Sequence, residues 1–139
     1  MSALITCKTK MKHKSHLISG LTMLGVTKDL IMTADGPEKL TLKGYNKTAE
    51  VDVLIEKLKY HRGYGDVGFL KNEEGTFDCL VDDLDDVGSL ARAAGVQKFS
   101  DAVAQYYSAS VLKKTLKAQG FMPVVKKDGG KIRVLATAV

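Results

Sequence analysis

The sequence predicts an α+β fold in which a mostly antiparallel sheet is covered by two main helices. Several short segments alternate apolar and polar residues with the period of two that is typical of strands, and two longer segments repeat apolar residues at helical spacing. Short glycine-containing turns join neighbouring strand segments, which favours antiparallel hairpins. Together these observations predict a ferredoxin-like or related sandwich, and the length of 139 residues predicts a single domain, residues 1–139.

The hairpin predicted for residues 65–83 is the element that the rest of the chain covers. Each of its arms alternates apolar residues with polar or small ones, on either side of a polar break at 72–75. Gly75 suits the left-handed conformation that short hairpin loops commonly require. The covered face of the two arms consists of Val67, Phe69, Phe77, Cys79 and Val81.

The chain before this hairpin predicts a strand, a helix and further strands. Residues 3–11 alternate as a first strand, and from about Ser15 apolar residues recur at helical spacing up to Gly25, which is placed as a helix C-cap. Residues 28–48 predict a hairpin that turns at 35–37. The next segment, 49–57, predicts one continuous strand with Val51, Val53 and Ile55 on one face and Asp52 on the other.

The C-terminal part predicts a short helix, a long helix and a terminal hairpin. Residues 89–94 predict the short helix, and Ser100 and Gly120 are expected to cap the start and the end of the long one. The residues around a 128–130 turn predict the hairpin. The long helix has a broad apolar arc formed by Phe99, Ala102, Val103, Tyr106, Ala109, Leu112 and Leu116.

The net charge of +5 is unevenly distributed, because lysines concentrate near both ends of the chain. The acidic cluster between them consists of Asp82, Asp83, Asp85 and Asp86. This asymmetry suits a polyanion-binding face, although solvated lysines are the simpler interpretation. Cys7 and Cys79 lie in strand patterns, which favours buried thiols over a disulfide and therefore a reducing compartment. No apolar run reaches membrane-spanning length, so we expect a cytoplasmic protein with no membrane partner.

Patterns that indicate chemistry are weak in this sequence. No nucleophile elbow, Walker pattern or dinucleotide fingerprint occurs, so catalysis is the minority interpretation, no catalytic residue is assigned and no cofactor is expected. The acidic cluster lacks calcium-loop spacing, which favours a solvated strand end over a Mg²⁺ or Ca²⁺ site. His13 and His16 lie one helical turn apart but lack the further ligands of a structural zinc site, so we expect a surface pair.

Several short motifs, in a fixed order, give the chain a family resemblance. The motifs are DVGF at 66–69, FDCLVDD at 77–83, QYY at 105–107, QGF at 119–121 and DGG at 128–130. In this order they resemble a family of small proteins of unknown function from plastid and cyanobacterial genomes, with members in tailed bacteriophages. The sequence differs from that pattern over residues 84–98. The resemblance implies a shared fold, and it brings no established activity or catalytic residue.

The segment most typical of a binding function is residues 57–65. Its basic and aromatic residues are Lys57, Lys59, Tyr60, Arg62 and Tyr64. Tyrosines stack on bases, and lysine and arginine contact phosphates. The segment therefore predicts a non-enzymatic module that binds single-stranded nucleic acid through this loop. An ordinary loop whose tyrosines pack on the sheet edge explains the same residues about equally well.

Two other functions stay open. A pocket between the sheet and the last helix, with Arg62, Tyr106 and Tyr107 at its mouth, would bind a small molecule or a nucleotide. A phage-encoded adaptor that binds a host protein is the third possibility. A steep fall of affinity with added salt would separate the nucleic-acid function from the other two, since phosphate contacts release counterions.

Overall fold

The structure is a computed structural model that describes residues 4–44, 47–56, 66–82, 99–128 and 131–138. Two α-helices and nine strands lie in these ranges. In chain order the elements are β1 (Leu4–Lys8), α1 (Lys14–Leu24), a 3₁₀ turn (Lys28–Leu30), β2 (Ile31–Thr33), β3 (Leu40–Lys43), β4 (Thr48–Val51), β5 (Val53–Ile55), β6 (Val67–Lys71), β7 (Phe77–Asp82), α2 (Phe99–Ala118), β8 (Phe121–Asp128) and β9 (Lys131–Ala138).

The main sheet has five strands in the order β1-β7-β6-β5-β2, and two separate ribbons are formed by β3–β4 and β8–β9. The predicted α+β class, with two helices and an antiparallel sheet, is confirmed. Every pair among the described strands is antiparallel. A ferredoxin-like sheet contains parallel neighbours, because its βαβ units join parallel strands. The sheet is therefore the related sandwich rather than the ferredoxin-like one.

The predicted central hairpin is confirmed as β6 and β7, with Phe69 opposite Cys79. Gly75 has a φ of 84°, the left-handed conformation that its turn requires. The apolar face of this hairpin is buried in the main core, together with residues of both helices. Phe69 lies at the centre of this face, and its side chain is 0% exposed. The helices therefore cover this face of the sheet, as the alternation predicts.

The opposite face of the sheet is covered by the β3–β4 ribbon. A second apolar cluster joins Leu42 and Val51 of the ribbon to Leu54 and Leu80 of the sheet. Gly68 makes this contact possible, because a Cβ on that residue would lie 2.6 Å from Val51 Cγ1. The sheet is thus buried on both faces, which explains why β5 is apolar at every position.

The hairpin predicted for residues 28–48 is wrong. Both strands exist, but β2 pairs with β5, so that Ile31 lies opposite Ile55, while β3 pairs with β4. The chain bends at residues 36–37, within the predicted turn, yet this bend does not decide which strands pair. Pairing with β5 lets Ile31 pack against the main core, a contact that a local hairpin would not provide.

The single strand predicted for residues 49–57 is also wrong, because it is interrupted at Asp52. The buried Asp52 carboxylate accepts a hydrogen bond from the Lys71 backbone N–H at 2.8 Å, and the chain bends there between β4 and β5. As a result Val51 belongs to the cluster under the ribbon, and Val53 belongs to the main core. These two residues do not share a face.

The predicted ends of the helices are largely confirmed. The N–H of Gly25 donates to Leu21 O and Thr22 O at the end of α1, and Gly120 has a φ of 88° after α2. Ser100 is not a cap, because Phe99 before it is already helical. The predicted apolar arc of α2 is buried only in its first half, since Leu112 is 45% exposed. The short helix predicted for 89–94 lies outside the described residues.

The terminal hairpin is confirmed as β8 and β9, and both arms are longer than the segments 122–126 and 132–135 that the alternation predicts. Both strands pack on α2. Exposed apolar side chains accumulate on this hairpin and on the neighbouring turn of α2; they are Val111, Leu112, Phe121, Met122, Val124 and Leu135. Neither described helix combines the length and the apolarity needed to cross a bilayer.

Candidate nucleic-acid interface

Helices α1 and α2 touch through their main chains at Gly20. A Cβ on Gly20 would lie 2.9 Å from Tyr107 N and 3.0 Å from Tyr106 C. Only glycine permits this approach, because both of the atoms that a side chain would meet belong to the backbone. The contact fixes the position of α1 on α2, and it lies next to the two cavities described below.

The first cavity, which we call the α1–α2 cleft, has a volume of about 360 Å³. Its described lining consists of Ser15, His16, Ser19, Ser110, Lys113, Lys114 and Lys117. The four residues from α2 recur at i, i+3, i+4 and i+7, so they share one face of that helix. None of the described lining residues is acidic. The cleft therefore presents ammonium, imidazole and hydroxyl groups, which are the groups that bind phosphates in proteins.

His16 lines the α1–α2 cleft and connects its two walls, because it contacts Ser110 of α2. Its Nδ1 is 2.8 Å from Ser110 Oγ, and its ring packs edge-on against Tyr107 and His13. Burial lowers the pKa of His16 below its ordinary value of 6.5, and the positive charge of Lys114 and the neighbouring His13 lower this pKa further. Because the pKa of His16 is lower in the folded state than in the unfolded chain, the unfolded chain binds more protons at pH values around and below 6.5. The contribution of His16 to stability therefore falls as the pH drops below 6.5.

Substitution Lys114→Gln is expected to raise the pKa of His16, because it removes a positive charge that disfavours the imidazolium form. The measurement is a pH titration of the His16 ring resonances by NMR. Lys28→Gln is the matched control, since Lys28 is an exposed lysine outside the cleft. An unchanged His16 pKa in Lys114→Gln would show that the Lys114 ammonium does not face the imidazole.

Tyr107 separates this cleft from a second cavity. Its hydroxyl accepts hydrogen bonds from the Lys12 N–H at 3.0 Å and the His13 N–H at 2.9 Å, which ties the start of α1 to α2. On its other side lies the β1–α2 groove, a cavity of about 560 Å³ between the end of β1 and α2. The polar groups of this groove include Lys8, Lys10 and Asp101.

The residues predicted for the binding loop, Lys57, Lys59, Tyr60, Arg62 and Tyr64, lie outside the described residues. Of the three residues predicted for the pocket, Arg62 is also outside them, and Tyr107 lines the β1–α2 groove. Tyr106 is 1% exposed and belongs to the main core, so it does not lie at a pocket mouth. The amino group of Lys127 lies 5.4 Å from the centre of its ring.

The acidic cluster and the histidine pair are the two candidate metal sites in the sequence. Asp83, Asp85 and Asp86 lie outside the described residues. Within the described ranges no group of three or more His, Cys, Asp or Glu side chains is arranged to hold a metal ion. His13 and His16 do lie side by side, with ring centroids 6.1 Å apart, and their neighbours are tyrosine, serine and lysine.

Sequence reasoning did not assign the lysines of α2 to a site. The signal that would have found them is their spacing, because Lys113, Lys114 and Lys117 continue the face that starts at Ser110. The opposite wall, formed by α1, comes from residues more than 90 positions earlier, as the separation of 94 between His16 and Ser110 shows. No local pattern connects the two walls.

Comparison with known proteins places the chain beside a described family. The family model described as "Protein of unknown function (DUF1257)" matches residues 26–135. No curated protein and no solved structure matches the chain. The matched range contains the α2 wall of the cleft, whereas the α1 wall precedes it.

Proposed function

The chain belongs to the DUF1257 family of proteins of unknown function. We propose that it is a binding module for single-stranded nucleic acid. The observation that carries this proposal is the α1–α2 cleft, where three lysines converge with a histidine and three serines. Lysines contribute affinity to a nucleic acid through phosphate contacts, and hydroxyl groups add hydrogen bonds to the phosphate oxygens.

The charge around the cleft supports the same proposal. The whole chain has a net charge of +5, and Lys12 lies just before α1, close in sequence to Ser15 of the cleft wall. Such a concentration of positive charge attracts a polyanion over a distance of about a Debye length, ~10 Å at moderate salt. The basic-aromatic loop at 57–65 would add stacking contacts to these phosphate contacts.

The first test is the salt dependence of binding. Lys114→Ala and Lys117→Ala are each expected to weaken binding to single-stranded oligonucleotides of any sequence, and to flatten the slope of log affinity against log salt by about 0.7. Fluorescence anisotropy over a range of salt concentrations measures both quantities. Lys28→Ala, an exposed lysine outside the cleft, should change neither. If the wild type shows no binding at low salt, the nucleic-acid proposal is wrong.

The loop would contribute both phosphate contacts and stacking contacts, and its two kinds of variant should fail differently from each other. Arg62→Ala with Lys59→Ala is expected to flatten the salt dependence in the same way as the cleft lysines. Tyr64→Ala should cost about 1–3 kcal/mol of binding free energy and leave the salt slope nearly unchanged, because stacking on a base releases no counterions.

A second candidate function is the binding of a small molecule or a single nucleotide in the β1–α2 groove. The observation in favour is its volume of about 560 Å³, which lies within the range of small-molecule sites. Lys8 and Lys10 would meet a phosphate, and Asp101 would accept a hydrogen bond from a hydroxyl or amino group. A co-purified ligand identified by mass spectrometry would favour this function over the first.

We also infer a cytoplasmic location, which would be the host cytoplasm if the protein is phage-encoded. Cys7 and Cys79 support it, because they lie opposite each other across β1 and β7 and are both free thiols. Free cysteines at this spacing persist in a reducing compartment. Alkylation of both thiols after extraction under non-reducing conditions would test the inference.

A further inference from the structure

We infer that the α1–α2 cleft binds the terminal phosphomonoester of a nucleic-acid strand, in preference to internal phosphodiesters. This inference rests on the proposed function and names the part of the strand that the cleft recognises. A terminal phosphate has a charge of about −1.5 to −2 near neutral pH and three free oxygens. An internal phosphodiester has one charge and two free oxygens, so it needs fewer partners.

The cleft supplies more partners than a diester can use. Three lysine ammonium groups, three hydroxyls and one imidazole line a volume of about 360 Å³. The lysines all come from one face of α2 within two turns, so their charges are close together and repel one another. A dianion between them would offset this repulsion better than a single charge. An interface that follows the backbone of a nucleic-acid strand would instead spread its lysines and arginines along a groove.

The position of the cleft also suits the end of a nucleic-acid strand. His16 lies one turn before Gly20 on α1, and Ser110 lies one turn after Tyr106 on α2, so the His16–Ser110 contact adjoins the helix crossing. The two main chains touch at that crossing, next to the His16–Ser110 contact. A nucleic-acid strand that ran on in this direction would meet the helix crossing, whereas a terminal phosphate can end beside it.

The contact between His16 and Ser110 can provide hydrogen bonds to a phosphate in the cleft. Their side chains lie 2.8 Å apart, and the imidazole can either accept the Ser110 hydroxyl proton or donate its own Nδ1–H. When the Nδ1–H donates to Ser110 Oγ, the hydroxyl proton of Ser110 is free to donate to a phosphate oxygen. Lys113 and Lys114 line the same cleft, and their positive charge favours an anion beside this pair.

The test compares internally labelled oligonucleotides of one sequence that carry a 5′-phosphate, a 3′-phosphate or hydroxyls at both ends. Fluorescence anisotropy is expected to show at least tenfold tighter binding of one phosphorylated form, which corresponds to about 1.4 kcal/mol. The form that gains affinity identifies the end. Inorganic phosphate should compete with that form and should leave the dihydroxyl oligonucleotide bound.

Variants connect this preference to the cleft. Ser110→Ala and His16→Ala are each expected to remove the advantage in affinity that the phosphorylated oligonucleotide has over the dihydroxyl form. Ser108→Ala is the matched control, because Ser108 lies on the same helix and lines the β1–α2 groove instead. Circular dichroism checks that each variant is folded.

The outcomes separate this inference from the proposed function. Equal affinity for all three oligonucleotides would overturn the terminal-phosphate inference and leave nucleic-acid binding intact. Full retention of the phosphate preference in folded Ser110→Ala and His16→Ala would also overturn it, since the terminal phosphate would then bind outside the cleft. Absence of binding to every oligonucleotide would overturn both.

Discussion

Substitution Phe69→Ala is expected to lower the free energy of unfolding by about 3–5 kcal/mol. Phe69 is 0% exposed and lies on β6 between Val53 of β5 and Cys79 of β7. Its ring is part of the core that both helices cover, so alanine leaves a cavity that the surrounding elements cannot fill without moving. Urea titration followed by circular dichroism measures the loss.

Phe121→Ala is the matched control for this prediction, since it removes the same side chain from a position that is 37% exposed on β8. We expect a clearly smaller loss there, because less apolar surface returns to water. Equal losses at the two positions would mean that Phe69 does not occupy the centre of the core.

Substitution Asp52→Ala is expected to cost about 2–3 kcal/mol of unfolding free energy. The buried carboxylate accepts the Lys71 backbone N–H at 2.8 Å and also contacts the Lys39 ammonium, so alanine leaves the Lys71 N–H without this partner. Lys39 is about a third exposed, and its ion pair therefore contributes only a small part of this cost. Chemical denaturation at neutral pH measures the loss.

The pH dependence of Asp52 supplies an independent check. Burial raises the pKa of Asp52, but the hydrogen bonds from Lys39 and the Lys71 N–H, with the charges of Lys39 and Lys14, outweigh burial and hold the pKa below its ordinary 3.8. The stability that Asp52 contributes is therefore present above pH 3.8 and is lost as the pH falls through the folded-state pKa. The difference between wild type and Asp52→Ala should shrink in that range.

Asp35→Ala serves as the control for charge alone. The Asp35 side chain is 86% exposed, and its carboxylate lies 3.9 Å from the Lys14 ammonium. Exposed pairs of this kind contribute about 0–1 kcal/mol, so we expect little change in stability. A loss at Asp35 as large as the loss at Asp52 would contradict the role given to the buried hydrogen bonds.

The parts of the fold that the sequence predicts correctly depend on local signals. The β6–β7 hairpin follows from a period of two around Gly75, and the ends of the helices follow from Gly25 and Gly120, whose positive φ angles only glycine adopts easily. The pairing of β2 with β5 depends on residues that are 24 positions apart in sequence, Ile31 and Ile55. The apolar pattern of β2 is compatible with several partner strands, so the pattern alone does not identify β5 as its partner.

The candidate site could be predicted only in part, because it too depends on contacts between residues that are far apart in the sequence. The excess of lysine near the C-terminal part of the chain is visible in the sequence, and so is the spacing of Lys113, Lys114 and Lys117. The cleft exists because α1 lies against α2, and that arrangement depends on Gly20. A glycine within a helical pattern indicates a cost in helix propensity, but it does not indicate which backbone approaches it.

The contact at Gly20 also bears on how the cleft would respond to a ligand. Because the two backbones already touch there, α1 and α2 cannot move closer together at the crossing, and the distance between the cleft walls is set before any ligand arrives. The entropy lost on binding would then come mainly from the lysine side chains, at about 0.5–1.5 kcal/mol for each side chain that becomes immobile. Backbone amide resonances of both helices should consequently keep their positions on saturation, while the lysine side-chain resonances broaden or shift.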